Sequence, residues 1–334
     1  MREANLNLAI ARELHALLER DPRFTVLTVR DLQTGNYTPD FARYFSEQEE
    51  SIRAFRSEHK SILQALFTLG LATERPTANH GYAPEEVSLR LYGINKWADE
   101  QEIDIALHIH LNDHPRPAKA VPGDYTGFAI YVPEAQYPNA YASADVARAV
   151  FRELRALIPV SDLHFEQSGI VEDQELIAVG ANASREGVAL LIEYGYIYEP
   201  QFRYKEVRDA YFRELAFRTY RALAGYFKAG GVPALPATQL LPYRFTRTLE
   251  PGTYGAPDVL ALQAALQAEA LYPPPGKDLR QCPLTGNYGP CTEEAVRLFQ
   301  ARHAETILAP LGIPHPTGIA GPATQRELNA LVNK

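Results

Sequence analysis

The chain has 334 residues, of which 46% are hydrophobic and 22% charged, so it is long enough for two globular domains and is not expected to be disordered. Its formal net charge of -8 and the lack of a basic stripe exclude the electrostatic pattern of a nucleic-acid-binding protein. No run of about 20 apolar residues occurs, so no segment is expected to span a bilayer.

The first hundred residues are predicted to be mainly helical. Residues 3–20 place their leucines on one helical face, and the segment FTVLTVR, from Phe24, predicts a strand because it is rich in β-branched residues. Residues 39–70 predict a long amphipathic helical insertion. PEEVSLRLYGINKWADEQ predicts a further helix with Pro84 in its first turn. We interpret the region of about 36–100 as a helical insertion.

The next strand, IDIALHIHLN at residues 103–112, carries two histidines in an otherwise apolar run. Successive side chains of a strand point to opposite faces, so His108 and His110 share one face, about 7 Å apart. The isoleucines and leucines occupy the other face, which fits packing against helices. The pattern therefore predicts a strand with one apolar and one polar face.

The rest of the first 230 residues continues the alternation of strands and helices. GFAIYVP predicts a strand, SADVARAVFRELRALI a helix that Ser143 can cap, VALLIEYGYIY a buried strand, and residues 204–228 a closing helix. This order predicts an α/β domain over residues 1–230, with a mainly parallel twisted sheet flanked by helices.

A second, all-α domain is predicted after a linker. The stretch GGVPALPATQLLP, residues 230–242, is rich in proline and glycine and has no periodicity, and we interpret residues 231–250 as the linker. Beyond them, GTYGAPDVLALQAAL, TGNYGPCTEEAVRLFQ and TGIAGPATQRELNAL each run from a glycine turn through a capping Thr or Asp into an amphipathic helix. Residues 251–334 are therefore predicted to form a compact three-helix module.

The two cysteines, Cys282 and Cys291, lie nine positions apart, far from other residues at zinc-ligand spacing. They could pair as a disulfide in an oxidising compartment or remain as two free thiols, and the sequence leaves both open. A disulfide would indicate a location in the cell envelope or outside the cell, although MREANLNLAI has no signal-peptide pattern.

Candidate catalytic residues lie where two predicted strands end. Ligands of open parallel sheets bind at the carboxyl ends of the strands. His108 and His110 lie at that end of one strand, and Glu193 follows five apolar residues at that end of another. Imidazole and carboxylate groups suit zinc, and a carboxylate beside zinc can act as the base for an attacking water. Glu193 is the candidate base.

Simpler explanations exist for each of these residues. A strand histidine is often exposed or satisfied by a neighbour, and Glu193 could form a salt bridge with an Arg or Lys. Glu3 lies in the first turn of its helix, where an acid is expected merely to offset the helix dipole. His80 and His114 are weaker candidates for metal binding.

Three segments in order resemble the zinc-dependent N-acetylmuramoyl-L-alanine amidases that cut bacterial peptidoglycan: REANLNLAIARELHALL, HIHLN and ALLIEYGYI. The resemblance implies that Glu3 and His110 are zinc ligands, that Glu193 is catalytic, and that Asn112 orients His110 or the substrate. His108 stands where the family usually has Ser.

The resemblance is incomplete at its start. The family has a further zinc-binding histidine on a first strand, upstream of the helix that carries Glu3, and this sequence begins at that helix. The catalytic domain therefore resembles one that lacks its first strand. His108 is the favoured substitute for the missing ligand, ahead of His80 and His114.

The C-terminal segments are similar to the three-helix peptidoglycan-binding domain that accompanies many wall hydrolases. The similarity rests on Gly286, Gly289, Thr292, Ala295, Val296, Phe299 and Gln300. Together the two resemblances imply a zinc hydrolase that cleaves the amide between N-acetylmuramic acid and L-alanine, with peptidoglycan as its partner. A non-catalytic wall-binding protein with a degenerate amidase-like domain is the alternative, and another zinc hydrolase such as a carboxypeptidase is a third.

Overall fold

The computed structural model describes residues 3–76, 83–116, 118, 121–227 and 235–332, so His80 lies outside the described residues. The longer helices are α1 (Glu3–Leu18), α2 (Pro39–Glu47), α3 (Glu49–Thr68), α4 (Glu85–Glu100), α5 (Ala140–Leu154), α6 (Pro200–Arg203), α7 (Lys205–Tyr226), α8 (Pro257–Ala268), α9 (Pro290–Arg302), α10 (Ala304–Ile307) and α11 (Pro322–Val332). The strands are β1 (Ile105–Asn112), β2 (Ala129–Pro133), β3 (Ile170–Asp173) and β4 (Val188–Tyr196).

The strands form a mixed four-stranded sheet in the order β1-β4-β2-β3. β1 pairs in parallel with β4, and β2 in parallel with β3, whereas β2 and β4 are antiparallel. The predicted α/β class with a sheet flanked by helices is confirmed. The sheet is mainly parallel in the sense that two of its three pairings are parallel.

The two faces of the sheet differ in polarity, as the alternation in β1 predicts. One face contributes Leu111, Ile130 and Ile192 to the main hydrophobic core, where α1, α5 and α7 pack against it. The opposite face carries His108, His110 and Glu193. A short helical turn, Ile177–Val179, covers part of this second face and lies between the sheet and α4.

Two helices, α2 and α3, occupy residues 39–68 of the predicted helical insertion. α2 ends at Glu47 and α3 begins at Glu49, with Gln48 in a non-helical conformation between them. α2, α3 and α4 share a small core built around Ile52 and Leu89. Pro84 precedes the first turn of α4 as its N-cap residue and is not part of that turn.

Two local predictions were wrong. The segment from Phe24 to Arg30 contains only an isolated bridge between Arg30 and Tyr37, and no strand. β-Branched residues favour an extended backbone, but a strand also needs a neighbouring strand to pair with. Ser143 does not cap α5, because that helix begins at Ala140; Ser143 is buried, and its hydroxyl accepts a hydrogen bond from the Ala189 amide at 3.0 Å.

The C-terminal region is helical, as predicted, and α8, α9 and α11 are its main helices. Each of them begins with a proline, Pro257, Pro290 or Pro322, where a capping Thr or Asp was expected. Proline suits the first helical position because its missing N–H would have had no partner within the helix. Cys282, in the loop before α9, forms a disulfide with Cys291 in the first turn of α9.

A buried glutamine links α8 to the turn that precedes α9. Gln263 is 1% exposed, and its carbonyl oxygen accepts hydrogen bonds from the amides of Thr285 and Gly286 at 2.9 and 3.0 Å. Its NH2 group donates to the Thr292 hydroxyl at 2.9 Å. One side chain therefore fixes both the glycine turn and the first turn of the next helix.

The same arrangement recurs between α9 and α11. Gln300 accepts from the amides of Thr317 and Gly318 at 2.8 and 3.0 Å and donates to the Thr324 hydroxyl at 3.0 Å. The repeated TG-x-x-GP-x-T segments of the sequence are thus recognised by equivalent glutamines, Gln263 and Gln300. This physical unit underlies the internal repeat.

The C-terminal helices pack directly on the sheet-containing region. Their cores form one continuous hydrophobic cluster, and the Gln267 amide donates to the Ala156 carbonyl at 2.8 Å. The predicted domain boundaries, with a linker at 231–250, stay predictions. None of the described helices combines the length and the low polarity that crossing a bilayer requires.

Candidate active site

The carboxyl ends of β1 and β4 and the start of α1 meet at one rim of the sheet. His110 and Glu193 are register partners in the parallel β1–β4 pair, so they lie side by side on the same face. Glu3 reaches this face from the first turn of α1, and its Oε1 lies 3.0 Å from His110 Nδ1. The structure therefore brings together three predicted site residues that are far apart in sequence.

The pair formed by Glu3 and His110 is a charge-assisted contact that is about two-fifths exposed. Burial lowers the pKa of His110, but the hydrogen bond to Glu3 and the charge of Glu193 outweigh this effect, so its pKa is raised. Burial raises the pKa of Glu3, but the hydrogen bonds from His110 and Asn7 lower it by more, so its pKa lies below the usual value. Both effects favour the charged pair.

Glu193 is the least satisfied of the three residues. Its Oε2 is buried and has no hydrogen-bond partner among the described residues. Burial raises the pKa of Glu193 to about 8, with the Glu3 and Glu166 charges adding to the rise and His110 opposing it. The structure shows no salt bridge from a described Arg or Lys to this carboxyl. Burial of an unpaired carboxyl is unfavourable, which is typical of functional sites.

His108 lies on the same face one step deeper along β1, where its register partner is Leu191. Burial lowers the pKa of His108 to about 4, and the positive charges of His110 and Arg185 add to the effect. A neutral imidazole is the form that binds a metal. His114, the other described spare candidate, packs edge-on against Tyr125 with ring centroids 4.6 Å apart.

Asn112 contacts a carboxylate that the sequence did not single out. Its Nδ2 donates to Glu166 Oε1 at 3.3 Å. Glu166 is 1% exposed and also accepts from the hydroxyls of Tyr131 at 2.7 Å, Tyr196 at 3.0 Å and Ser161. Glu166 thus ties the ends of β1 and β4 to β2. No sequence signal indicates this role, because Glu166 is a single acid in a 3-10 helix of only three residues, His164–Glu166.

The donor chemistry at this rim fits zinc, although the described donors do not reach the usual number. Two ligands at about 2.0–2.1 Å from a tetrahedral zinc ion lie about 3.3 Å apart, close to the 3.0 Å between His110 Nδ1 and Glu3 Oε1. The unpartnered Glu193 oxygen also suits a nearby cation. However, within the described ranges no three His, Cys, Asp or Glu side chains are grouped to hold a metal ion.

The C-terminal region has a recognisable family pattern. Residues 255–328 match the family model described as "Putative peptidoglycan binding domain". This agrees with the resemblance seen in the sequence. A comparison with curated proteins finds no match.

Solved structures similar to this chain are amidases. One is the N-acetylmuramoyl-L-alanine amidase from Clostridium difficile 630, with 16% identity, coverage of 69% of this chain and 87% of that chain, and a TM-score of 0.39. The CwlD amidase from Clostridioides difficile, in complex with the GerS lipoprotein, has 14% identity, coverage of 68% and 87%, and a TM-score of 0.42. The catalytic domain of CwlV from Bacillus (Paenibacillus) polymyxa var. colistinus has 15% identity, coverage of 68% and 86%, and a TM-score of 0.37.

Proposed function

We propose that this chain is a peptidoglycan hydrolase that cleaves the amide between N-acetylmuramic acid and L-alanine of the stem peptide. The observation that carries the proposal is the meeting of Glu3, His110 and Glu193 at one rim of the sheet, where Glu193 keeps a buried, unpartnered oxygen. The family match of residues 255–328 supports the wall polymer as the substrate.

In this mechanism Glu193 transfers one proton from the attacking water to the leaving group. Glu193 accepts a proton from the attacking water and returns it to the nitrogen of the leaving amine as the amide bond breaks. Burial raises the pKa of Glu193 above the usual value of a carboxyl and so makes it a stronger base for the proton of the water. Asn112, two residues beyond His110, can orient the substrate.

Glu3 and His110 would hold zinc, with His108 as the proposed third ligand. Zinc supplies, when bound, a Lewis acid that polarises a carbonyl group and makes water more acidic. The C-terminal region would keep the hydrolase at the wall and raise its effective concentration there. The proposed location is therefore the cell envelope or the outside of the cell.

A non-catalytic wall-binding protein is the second candidate. The observation in its favour is that the described side chains do not gather three metal ligands. Metal analysis of the purified chain separates the two, because an enzyme should bind close to one equivalent of added zinc and a degenerate domain almost none.

The activity itself is tested with Glu193→Ala. We expect this variant to bind zinc nearly as the wild type does but to release no stem peptide from purified walls. The matched control is Glu172→Ala, which removes an exposed carboxylate from β3 of the same sheet and should leave release unchanged. Continued release by Glu193→Ala would remove Glu193 from the mechanism.

A further inference from the structure

The C-terminal region holds a loop of the sheet-containing region through one arginine. Arg280 forms an ion pair with Asp162, with 2.8 Å between its nitrogen and Oδ2, and donates a hydrogen bond to the Val160 carbonyl at 2.8 Å. These two acceptors flank Ser161. The planar guanidinium fork of arginine suits such a paired contact, because its donors keep a fixed spacing.

Ser161 carries this contact into the protein interior. It is fully buried, its amide donates to the Phe128 carbonyl at 2.8 Å, and its hydroxyl donates to Glu166 Oε2. The same hydroxyl lies 3.1 Å from the Tyr196 hydroxyl. A shift of the backbone on either side of Ser161 would therefore change the position of the Glu166 carboxylate.

Glu166 in turn contacts two side chains beside the candidate active site. Asn112 lies two residues beyond His110 on β1. Tyr131 lies on β2, two residues beyond the register partner of Glu193, and so projects from the same face of the sheet. Both side chains donate to Glu166 Oε1, so a displacement of this one carboxylate oxygen changes a hydrogen bond of each.

Arg280 is itself firmly fixed in the C-terminal region. The Asp278 carboxylate accepts hydrogen bonds from the amides of Arg280 and Gln281 at 3.0 and 2.9 Å. Cys282, two residues later, is joined by the disulfide to Cys291 near the start of α9. The arginine therefore moves with the C-terminal helices.

We propose that Arg280 is a positioning residue for the candidate active site. It couples the packing of the C-terminal region against the sheet-containing region to the positions of the Asn112 and Tyr131 side chains. Ser161 and Glu166 transmit this coupling. The wall-binding region would then set the turnover of the site as well as its location. This inference rests on the proposed function. The ion pair is partly exposed, and such pairs contribute little to stability, so its loss should alter the site without unfolding the protein.

The experiment compares three full-length variants with the wild type. Arg280→Ala removes both contacts, and Arg280→Lys keeps the charge but loses the fork. Lys277→Ala is the matched control, because Lys277 pairs at 2.6 Å with Glu294, a residue of α9 in the same C-terminal region. The measurements are the side-chain amide signal of Asn112 by NMR with 15N-labelled asparagine, turnover of a soluble muropeptide, and sedimentation with purified walls.

We expect Arg280→Ala to shift the Asn112 signal and to lower kcat by about three- to tenfold, with KM and wall binding unchanged. Arg280→Lys should lie between Arg280→Ala and the wild type, and Lys277→Ala should match the wild type. An unchanged Asn112 signal in Arg280→Ala would overturn the coupling, as would a shifted signal with unchanged kcat in an active protein. Absence of turnover in the wild type would overturn the proposed function instead, and the Asn112 signal would still decide the coupling.

Discussion

The C-terminal helices and the sheet-containing region use buried polar side chains in opposite ways. Gln263 and Gln300 are neutral, and each accepts from two amides and donates to partners in the next turn. In the sheet-containing region, Glu166 is a buried acid with several donors, and Glu193 has an oxygen with no partner among the described residues.

This difference separates the two kinds of role that a buried polar group can have. A fully bonded neutral amide stabilises one backbone geometry and leaves nothing available for a ligand. A buried carboxyl that is incompletely bonded destabilises the fold, and its lone pairs remain available for chemistry. Exchanging amide and carboxyl groups between the two regions tests this distinction.

The largest effect is expected for Gln300→Glu. In the wild type the Gln300 NH2 group donates to the Ile319 carbonyl. In the variant a carboxylate oxygen would replace this NH2 group, and two oxygens that can only accept would face each other. We expect the free energy of unfolding at pH 7 to fall by about 3–5 kcal/mol. The folded state should raise the pKa of the introduced carboxyl, so the lost stability should return as the pH falls towards 4.

Urea unfolding at pH 7 and pH 4 measures this change. Gln267→Glu is the control, because Gln267 lies nearer the surface and makes one hydrogen bond, to Ala156. A loss for Gln300→Glu that is no greater than for Gln267→Glu would show that the glutamine turn is not a stabilising unit.

Glu166→Gln should have a smaller effect. The hydroxyls of Ser161, Tyr131 and Tyr196 can each turn to accept from the new NH2 group, because hydroxyls both donate and accept. We therefore expect a loss of about 1–2 kcal/mol in the free energy of unfolding, measured by urea unfolding at pH 7. A loss as large as that of Gln300→Glu would mean that the negative charge itself is required for folding.

Asp21 is an intermediate case, a buried carboxylate that is fully paired. Hydrogen bonds from Arg23 are the main cause that lowers the pKa of Asp21 to about 2, and the Tyr220 hydroxyl adds to the effect. A lowered pKa contributes stability above about pH 4 that is lost as the pH falls towards 2. We expect Asp21→Asn to lose about 1 kcal/mol at pH 7 and to converge with the wild type near pH 2.

Thermal unfolding at pH 7 and at pH 2.5 measures this difference. Asp40→Asn, which removes an exposed partner of Arg43, should match the wild type at both pH values. A constant difference between Asp21→Asn and the wild type across this range would exclude the charge of Asp21 as its source.

The only gain in stability is expected for Glu193→Gln in the presence of a chelator. The raised pKa of Glu193 means that wild-type stability falls as the pH rises from about 5 to 8, because the unfolded state releases its proton first. Glutamine does not titrate, so between pH 5 and pH 8 the variant should gain at least about 1 kcal/mol of stability relative to the wild type. Thermal unfolding of the variant and the wild type at pH 5 and pH 8 measures this difference. A variant less stable than the wild type at pH 8 would show that burial of the ionised Glu193 carboxyl does not destabilise the fold.

Much of the sheet could be predicted because its pattern is local. The alternation around His108 and His110 and the apolar run before Glu193 indicate two strands, and their carboxyl ends meet at one edge. The antiparallel direction of β2 could not be predicted, because strand direction depends on the path of the connecting chain. The prediction of a strand from Phe24 was wrong, because the local sequence does not specify which neighbouring strand the segment could pair with.

The other features that could not be predicted are side chains whose partners lie in distant segments of the chain. The repeats made the C-terminal helices visible, but the partners of Gln263 and Gln300 became apparent only from the packing. Glu166 is a lone acid whose donors come from four separate segments. The position of Arg280 depends on how two regions dock, for which its own sequence neighbourhood carries no signal.

The Cys282–Cys291 disulfide closes a loop in a region of only about 80 residues. Closing a loop this short adds about 2–3 kcal/mol in the chain-entropy description, and a reducing compartment would remove that contribution. At the proposed location in the cell envelope, oxidation of the two thiols would therefore raise the free energy of unfolding of this region above its value in the reduced protein.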